Sequence, residues 1–189
     1  MIRTLFIMLF CFGLSIGFSQ TNSKFKKYKP EEICVSAEEL QLYDLLNEYR
    51  KKHSLPSISL SKALCYIAQI HAEDLELNVK ALTHAWSTCK YNAQVSKTYG
   101  CMWDKPKELT TYKGTGYECA HGGTGDYKAT AQSALEGWQN SKSHNDVILN
   151  KDIWKGDTWN AIGVGIYGSF ATIWFGTQKD EDGITVRCP

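Results

Sequence analysis

The sequence has little net charge and no catalytic motif of the common hydrolases. Its 189 residues carry 21 Lys and Arg against 20 Asp and Glu, which gives a formal net charge of +1 at pH 7. Loss of residues 1–20 would remove Arg3 and leave the two signs equal. Because a neutral chain has no net attraction for a polyanion, we expect no nucleic-acid partner.

Several short motifs are absent as well. The sequence lacks His-Glu-x-x-His, Gly-x-Ser-x-Gly and an evident Ser–His–Asp set, the motifs of many metalloproteases and serine hydrolases. It also lacks Cys-x-x-Cys, which argues against a zinc ribbon or a thioredoxin-type redox site. These absences disfavour an enzyme without excluding one.

The longest apolar run lies at the start of the chain. Arg3 precedes residues 4–18, which carry no charge, and Ser19-Gln20 and polar sequence follow. The run is too short for a spanning helix and is typical of a secretory signal peptide. We therefore predict a signal peptide at 1–20, a solvated polar leader at 21–35 and a single domain at 36–189. The product would be secreted or periplasmic, monomeric and not stably inserted in a membrane.

Six cysteines remain once Cys11 is removed with the signal peptide. An even number in an exported chain predicts up to three disulfides and no free thiol. Six cysteines allow 15 connectivities, so the pairing stays open. The six are Cys34, Cys65, Cys89, Cys101, Cys119 and Cys188.

Helical periodicity appears in three segments. Ser36 and Glu39 predict a capping box that opens a helix over about 37–53, with Arg50 among the residues of its wet face. A second helix over about 60–78 carries His71 on its apolar side, where we expect a backbone carbonyl or a carboxylate to bind the ring. A third helix over about 128–142 ends just before His144.

Between and after these helices the pattern changes. Residues 83–127 show little periodicity, and disulfides of Cys89, Cys101 and Cys119 would order them. Apolar residues alternate over 162–166 and 171–176, with Gly168-Ser169 between them, which predicts an antiparallel hairpin. The elements together indicate a mixed α+β layered domain.

Five segments in order carry a resemblance to a known family. They are Leu45-Leu46-Asn47-Glu48-Tyr49-Arg50, Ala68-Gln69-Ile70-His71-Ala72-Glu73-Asp74-Leu75, Thr83-His84-Ala85-Trp86-Ser87, Trp138-x-x-Ser141-x-x-His144 with Ile148-Leu149-Asn150, and Ile162-Gly163-Val164-Gly165-Ile166-Tyr167. The chain resembles the CAP superfamily of cysteine-rich secretory, antigen five and pathogenesis-related proteins (SCP domain), in its bacterial secreted branch. This resemblance implies a three-layer α-β-α sandwich with a central antiparallel sheet, stabilised by disulfides.

The resemblance also implies a cleft lined by His84, Glu118 and His144. The chain departs from the family pattern there, since Gly116-Tyr117-Glu118-Cys119 replaces the usual Gly-Glu-Asn and Ser141 replaces a second acid. Two neutral imidazoles could hold zinc or another divalent cation, with Glu118 as a third ligand or as an orienting group. We expect the three side chains to converge to within roughly 3–5 Å, and metal binding to weaken below about pH 6.

Three functions are compatible with this cleft. The first is a secreted binding module for a lipid, peptide, glycan or protein. The second is a metal-dependent hydrolase or peptidase with His84, Glu118 and His144 as candidate catalytic residues, although Ser141 near His144 is weak evidence for a nucleophile. The third is a structural disulfide-rich domain with a vestigial site. The binding module is the function that the resemblance favours.

Overall fold

The structure is a computed structural model that describes residues 24–189, so the expected signal peptide lies outside the described residues. Its strands are β1 (Cys34–Val35), β2 (Tyr117–Gly122), β3 (Ala161–Tyr167), β4 (Phe170–Gly176) and β5 (Val186–Arg187). Its helices are α1 (Ala37–Lys52), α2 (Lys62–Asp74), α3 (Gly100–Trp103), α4 (Lys105–Leu109), α5 (Ala131–Gln139) and α6 (Lys142–Ile148). Among residues 24–189, no helix has both the length and the apolar character that a membrane span requires.

The capping box predicted for the first helix is confirmed. The Ser36 hydroxyl accepts from the Glu39 backbone N–H at 3.2 Å, and the Ser36 N–H donates to Glu39 Oε2 at 2.7 Å. The buried Glu39 carboxylate also accepts from Gln69 Nε2 at 3.2 Å and from the Ile166 N–H at 3.1 Å. One side chain therefore starts α1 and also binds it to α2 and β3.

The central layer is an antiparallel sheet in the order β2-β4-β3. The predicted hairpin is β3–β4, with Gly168 at a φ of +57° in its turn. On one face, Trp174 packs in a cluster with the buried side of α2. On the other face, Ile173 and Phe175 pack in a cluster with residues of α1 and α5. The expected three-layer α-β-α sandwich is thus confirmed.

Two glycines of β3 allow α2 to lie directly on the sheet. A Cβ atom on Gly163 would overlap the Leu64 carbonyl group, and one on Gly165 would overlap the backbone of Ala68. Any larger residue at these positions would force the helix away from the strand. The alternation of glycine with Ile and Val in β3 therefore separates a helix-contact face from an aliphatic face.

The disulfide prediction is right for four cysteines and wrong for two. Disulfides join Cys34 to Cys188 and Cys89 to Cys101. Cys65 and Cys119 are free and fully buried, so the expectation of no free thiol is incorrect. Cys119 lies on β2, whereas Cys65 lies on α2, which packs against β3. In the sheet, β2 and β3 are two strand spacings apart, or roughly 9–10 Å. A disulfide needs Cα atoms about 4.4–6.8 Å apart.

The predicted boundary at residue 36 also needs correction. The segment 24–35 packs on the domain: Phe25 contacts Trp86 with ring centroids 5.2 Å apart, and the Tyr28 hydroxyl donates to Asp182 at 2.7 Å. β1 pairs in parallel with β5, next to the Cys34–Cys188 disulfide. These residues are part of the fold rather than a solvated leader.

Two elements differ from the sequence prediction. The helix expected over 128–142 is the shorter α5, and His144 lies within a separate helix, α6, that begins at Lys142. The region 83–127, expected to be irregular, contains the strand β2. Its sequence Tyr-Glu-Cys-Ala-His-Gly has no β-branched residue, so pairing with β4 rather than local propensity makes it a strand.

Candidate functional site

The base of the site is His71, which is fully buried near the end of α2. Its Nε2–H donates to the Ala85 carbonyl at 3.1 Å, and its Nδ1 is hydrogen-bonded to Glu118 Oε1. The ring stacks on Trp86, with centroids 4.1 Å apart and planes at 11°. A carbonyl and a carboxylate thus both bind this histidine, as expected from its apolar position, and they also connect it to the candidate site.

Glu118 lies on β2 and uses both carboxylate oxygens within the protein. Oε1 is bonded to His71, and Oε2 is 2.7 Å from His84 Nδ1. Burial by itself would raise the pKa of Glu118, but the charge and hydrogen bond of His71, with those of His84, lower it to about 2. The side chain is therefore a buried carboxylate fixed between two imidazoles.

The loop that presents His84 is attached to the end of α2 by Asp74. The Asp74 carboxylate accepts from the Ser87 N–H at 2.7 Å and from the Ser87 hydroxyl at 2.6 Å. Burial lowers the pKa of His84, but the hydrogen bond and charge of Glu118 outweigh that effect and raise it above its ordinary value. Since Nδ1 is bonded to Glu118, Nε2 is the nitrogen that remains for a ligand.

His144 lies on α6 and borders the same cavity as His84 and Glu118. Among residues 24–189, neither of its ring nitrogens has a hydrogen-bond partner. Burial lowers the pKa of His144, and the nearby charge of His84 lowers it further. The structure thus brings His84 and Glu118 into direct contact and places His144 in the wall beside them.

The position of α6 depends on Arg50, which the sequence pattern placed on the wet face of α1. The structure corrects this, because Arg50 is 2% exposed. Its Nη1 donates to the Ile148 carbonyl at 2.5 Å and to Asn150 Oδ1 at 2.8 Å, and its Nε donates to the Pro56 carbonyl at 3.1 Å. A buried guanidinium therefore binds the C-terminal end of the helix that carries His144.

Ser141 does not contact His144. It occupies the N-cap position of α6, and its hydroxyl lies 3.3 Å from the Ser143 hydroxyl. A single helix through residues 141–144 would have allowed Ser141 to contact His144. That contact is absent because α5 ends at Gln139 and α6 begins only at Lys142.

The cavity beside these residues has a volume of about 760 Å³. This value lies within the range of small-molecule sites, roughly 300–1,000 Å³. Besides His84, Glu118 and His144, its lining includes five aromatic residues, Tyr91, Tyr99, Trp103, Tyr117 and Trp154.

The donor set fits a cation held by two histidines better than one held by three ligands. No group of three or more His, Cys, Asp or Glu side chains in residues 24–189 is arranged to hold a metal ion. Each oxygen of Glu118 already accepts from an imidazole, so a role as third ligand would add a second contact to one of these oxygens. The bond to His84 Nδ1 fits the alternative role, in which a carboxylate orients a ligand histidine.

The sequence alone did not identify His71, Asp74 and Arg50 as supports of this site. His71 and Asp74 fall within a segment that matched the family, so their position three residues apart near the end of α2 was the available signal. Arg50 also ends a segment that matched the family, but its charge near the end of an amphipathic helix predicts a solvated side chain, so its burial was not expected.

Comparison with known proteins identifies the family. The model of the cysteine-rich secretory protein family, CAP, matches residues 43–171. The chain belongs to this family. The resemblance seen in the sequence is thereby confirmed, and the site lies within a CAP domain.

Individual relatives are distant and longer. The uncharacterized membrane protein YlbC of Bacillus subtilis (strain 168) is 29% identical over 135 residues, which are 71% of this chain and 33% of that protein. An extracellular protein containing a SCP domain from Bacillus anthracis str. Ames, solved at 1.5 Å, aligns with a TM-score of 0.56 and 23% identity, over 75% of this chain and 40% of the other. This likeness supports the fold. The chain spans about a third of the curated relative.

Proposed function

We propose that this chain is a secreted CAP-domain binding module whose cleft holds zinc or a similar divalent cation between His84 and His144. The observation that carries the proposal is the position of Glu118 between two histidines. Its oxygens bind His71 and His84 Nδ1, which leaves His84 Nε2 for a ligand. A histidine held by a carboxylate at one nitrogen is typical of metal-ligating histidines.

Each residue of the site would have a separate role. His84 and His144 would hold the cation, Glu118 would orient His84, and His71 would fix Glu118 from below. Two protein ligands leave positions for solvent or for a bound molecule. When bound, the cation would supply a Lewis-acid centre at the cavity wall.

An extracellular location is supported by three observations. The two disulfides are typical of oxidising compartments. The apolar run at 4–18 resembles a secretory signal. The Bacillus anthracis protein of similar fold is described as extracellular.

Binding is better supported than hydrolysis. Glu118 is a weak candidate for a general base, because its side chain is fully buried and its two imidazole partners hold its pKa at about 2. Ser141 lies against Ser143 rather than against a histidine that could activate it. The ligand classes that remain are those of a binding cleft, namely a lipid, peptide, glycan or protein.

The test is calorimetric titration of zinc into the exported protein and into His84→Ala and His144→Ala. We expect each variant to bind zinc at least about tenfold more weakly, because a two-histidine site loses half of its protein ligands. His53→Ala is the matched control, since His53 is exposed at the end of α1. Unchanged zinc binding in both site variants would favour a vestigial site, and a robust hydrolytic activity lost in folded His84→Ala would favour the hydrolase.

A further inference from the structure

Five aromatic residues form a continuous surface along the cavity, which we call the aromatic wall: Tyr91, Tyr99, Trp103, Tyr117 and Trp154. Consecutive ring centroids are 5.9, 4.8, 6.0 and 5.0 Å apart. Each neighbouring pair is therefore in contact, and no aliphatic residue interrupts the series.

The aromatic wall is open to a ligand and continuous with the histidine site. All five side chains are partly exposed rather than buried. The first of them, Tyr91, packs edge-on against His84 with centroids 5.3 Å apart. A molecule lying on the wall would therefore reach the position proposed for the cation.

The other charged and polar part of the lining comes from α6 and the turn after it. We call Lys142, Ser143, Asp146 and Asp152 the polar rim. The Lys142 ammonium lies 2.5 Å from Asp146 and 3.4 Å from Asp152. The single ammonium of the rim is thus shared by two carboxylates, whereas the carboxylate of Glu118 is bonded to two imidazoles.

We propose that the aromatic wall and the polar rim bind a neutral oligosaccharide, with sugar rings stacked on the wall and hydroxyl groups bonded to the rim. The proposal rests on the proposed function, since it names the ligand class of the same cleft. The C–H face of a sugar ring carries partial positive charge and suits the negative face of an aromatic ring. Hydroxyl groups can donate to Asp146 and Asp152 without adding a charge.

Other ligand classes fit this lining less well. An acyl chain gains most from an enclosed aliphatic surface, whereas the non-aromatic apolar lining here is limited to Ala93, Met102, Val147 and Ile153, beside partly exposed aromatic rings and charged groups. An anionic ligand would meet a rim in which two carboxylates share one exposed ammonium, so the rim offers it no net attraction. A neutral ring with polar edges is compatible with both parts of the lining.

The experiment titrates two probes, cellotetraose and tetra-N-acetylchitotetraose, into the exported protein, with zinc and with a chelator. We expect at least one to bind and to change tryptophan fluorescence. Tyr91→Ala and Trp154→Ala, at the two ends of the aromatic wall, should each weaken binding about tenfold. Trp154→Phe should recover part of the loss. Tyr167→Ala is the control, since Tyr167 is 41% exposed and lies outside this cavity.

Zinc titration of the same variants separates this inference from the proposed function. Zinc binding without binding of either tetrasaccharide would overturn the inference alone. Sugar binding without zinc binding would support the inference and overturn the cation site. Sugar binding unchanged in Tyr91→Ala and in Trp154→Ala would place the sugar elsewhere and overturn the inference. Wall-dependent binding of palmitate or of a peptide, with no sugar bound, would also overturn it.

Discussion

At the scale of single residues, Glu118 controls the stability of the site. Its pKa is lowered in the folded protein, so it stabilises the fold above its ordinary pKa of 4.5, and this contribution is lost as the pH falls towards about 2. The pKa of His84 is raised, so its contribution is present at low pH and is lost as the pH rises through that value. The ion pair between Glu118 and His84 is therefore strongest at pH values above the pKa of Glu118 and below the pKa of His84.

We predict that Glu118→Gln lowers the free energy of unfolding by about 3 kcal/mol near pH 5.5, because it removes one partner of a buried pair. The difference from wild type should shrink steadily below about pH 4.5. Urea unfolding, monitored by tryptophan fluorescence, measures this difference in the free energy of unfolding. Glu48→Gln is the control at an exposed carboxylate, and equal losses in the two variants would contradict a special role for Glu118.

The second prediction at this scale concerns zinc and pH. A proton and a cation compete for His84, and Glu118 raises the pKa of that imidazole above 6.5. As the pH is lowered, zinc affinity should therefore begin to fall already near neutral pH. For a histidine with an ordinary pKa, the fall would begin at the lower value of about pH 6. Titrations between about pH 8 and about pH 5.5 test this. A constant affinity across that range would mean that His84 is not a ligand.

At the scale of elements, the contact between α2 and β3 decides whether the layers fit. Leu64 and Ala68 on α2 lie directly over Gly163 and Gly165 on β3. Because these contacts are made by backbone atoms, a nearby side chain cannot rotate away to relieve an overlap.

We predict that Gly163→Ala lowers the free energy of unfolding by about 3 kcal/mol, the upper part of the usual range for overpacking. Gly156→Ala is the matched control, because a Cβ atom at Gly156 would meet nothing within 4 Å. Thermal unfolding compares the two. If Gly163→Ala were no less stable than Gly156→Ala, the close approach of α2 to β3 would be wrong.

At the scale of the whole molecule, the two disulfides constrain very different lengths of chain. Cys34–Cys188 closes a loop of 154 residues, whereas Cys89–Cys101 closes one of 12. In the loop-entropy model, the longer loop removes more freedom from the unfolded chain by about 2 kcal/mol. The first disulfide thus holds the two ends of the domain, and the second orders part of the site loop.

We therefore predict that Cys34→Ala with Cys188→Ala lowers the free energy of unfolding by about 2 kcal/mol more than Cys89→Ala with Cys101→Ala. Urea unfolding of the two double variants measures the difference. Equal losses would indicate that the ends of the chain already lie close together in the unfolded state.

The last prediction concerns the two free thiols. Burial raises the pKa of Cys65 to about 12 and that of Cys119 well above its ordinary value. Neither thiol should react with iodoacetamide in the folded protein, and both should react in guanidinium. The reaction requires the cysteine to be a thiolate and to be accessible to the reagent. Intact mass spectrometry counts the modified cysteines. Absence of any reaction in guanidinium without reductant would mean that Cys65 and Cys119 form a third disulfide.

The sequence by itself determined the elements that depend on local pattern. The Ser36–Glu39 capping box, the apolar face of α2 and the alternation in β3 and β4 each follow from neighbouring residues. The five motifs in order, from Leu45 to Tyr167, were likewise sufficient together to indicate the CAP family, which the match over residues 43–171 confirms. These features could be predicted because spacing along the chain fixes them.

Only the tertiary structure decided the rest. β2 is a strand because β4 pairs with it, and Cys65 and Cys119 stay apart because β4 lies between their positions. Arg50 is buried because the carbonyl of Ile148, 98 residues away, needs a donor. Likewise, His71 and Glu118 meet across 47 residues. Such contacts depend on how the layers are stacked, and no local pattern in the sequence records that.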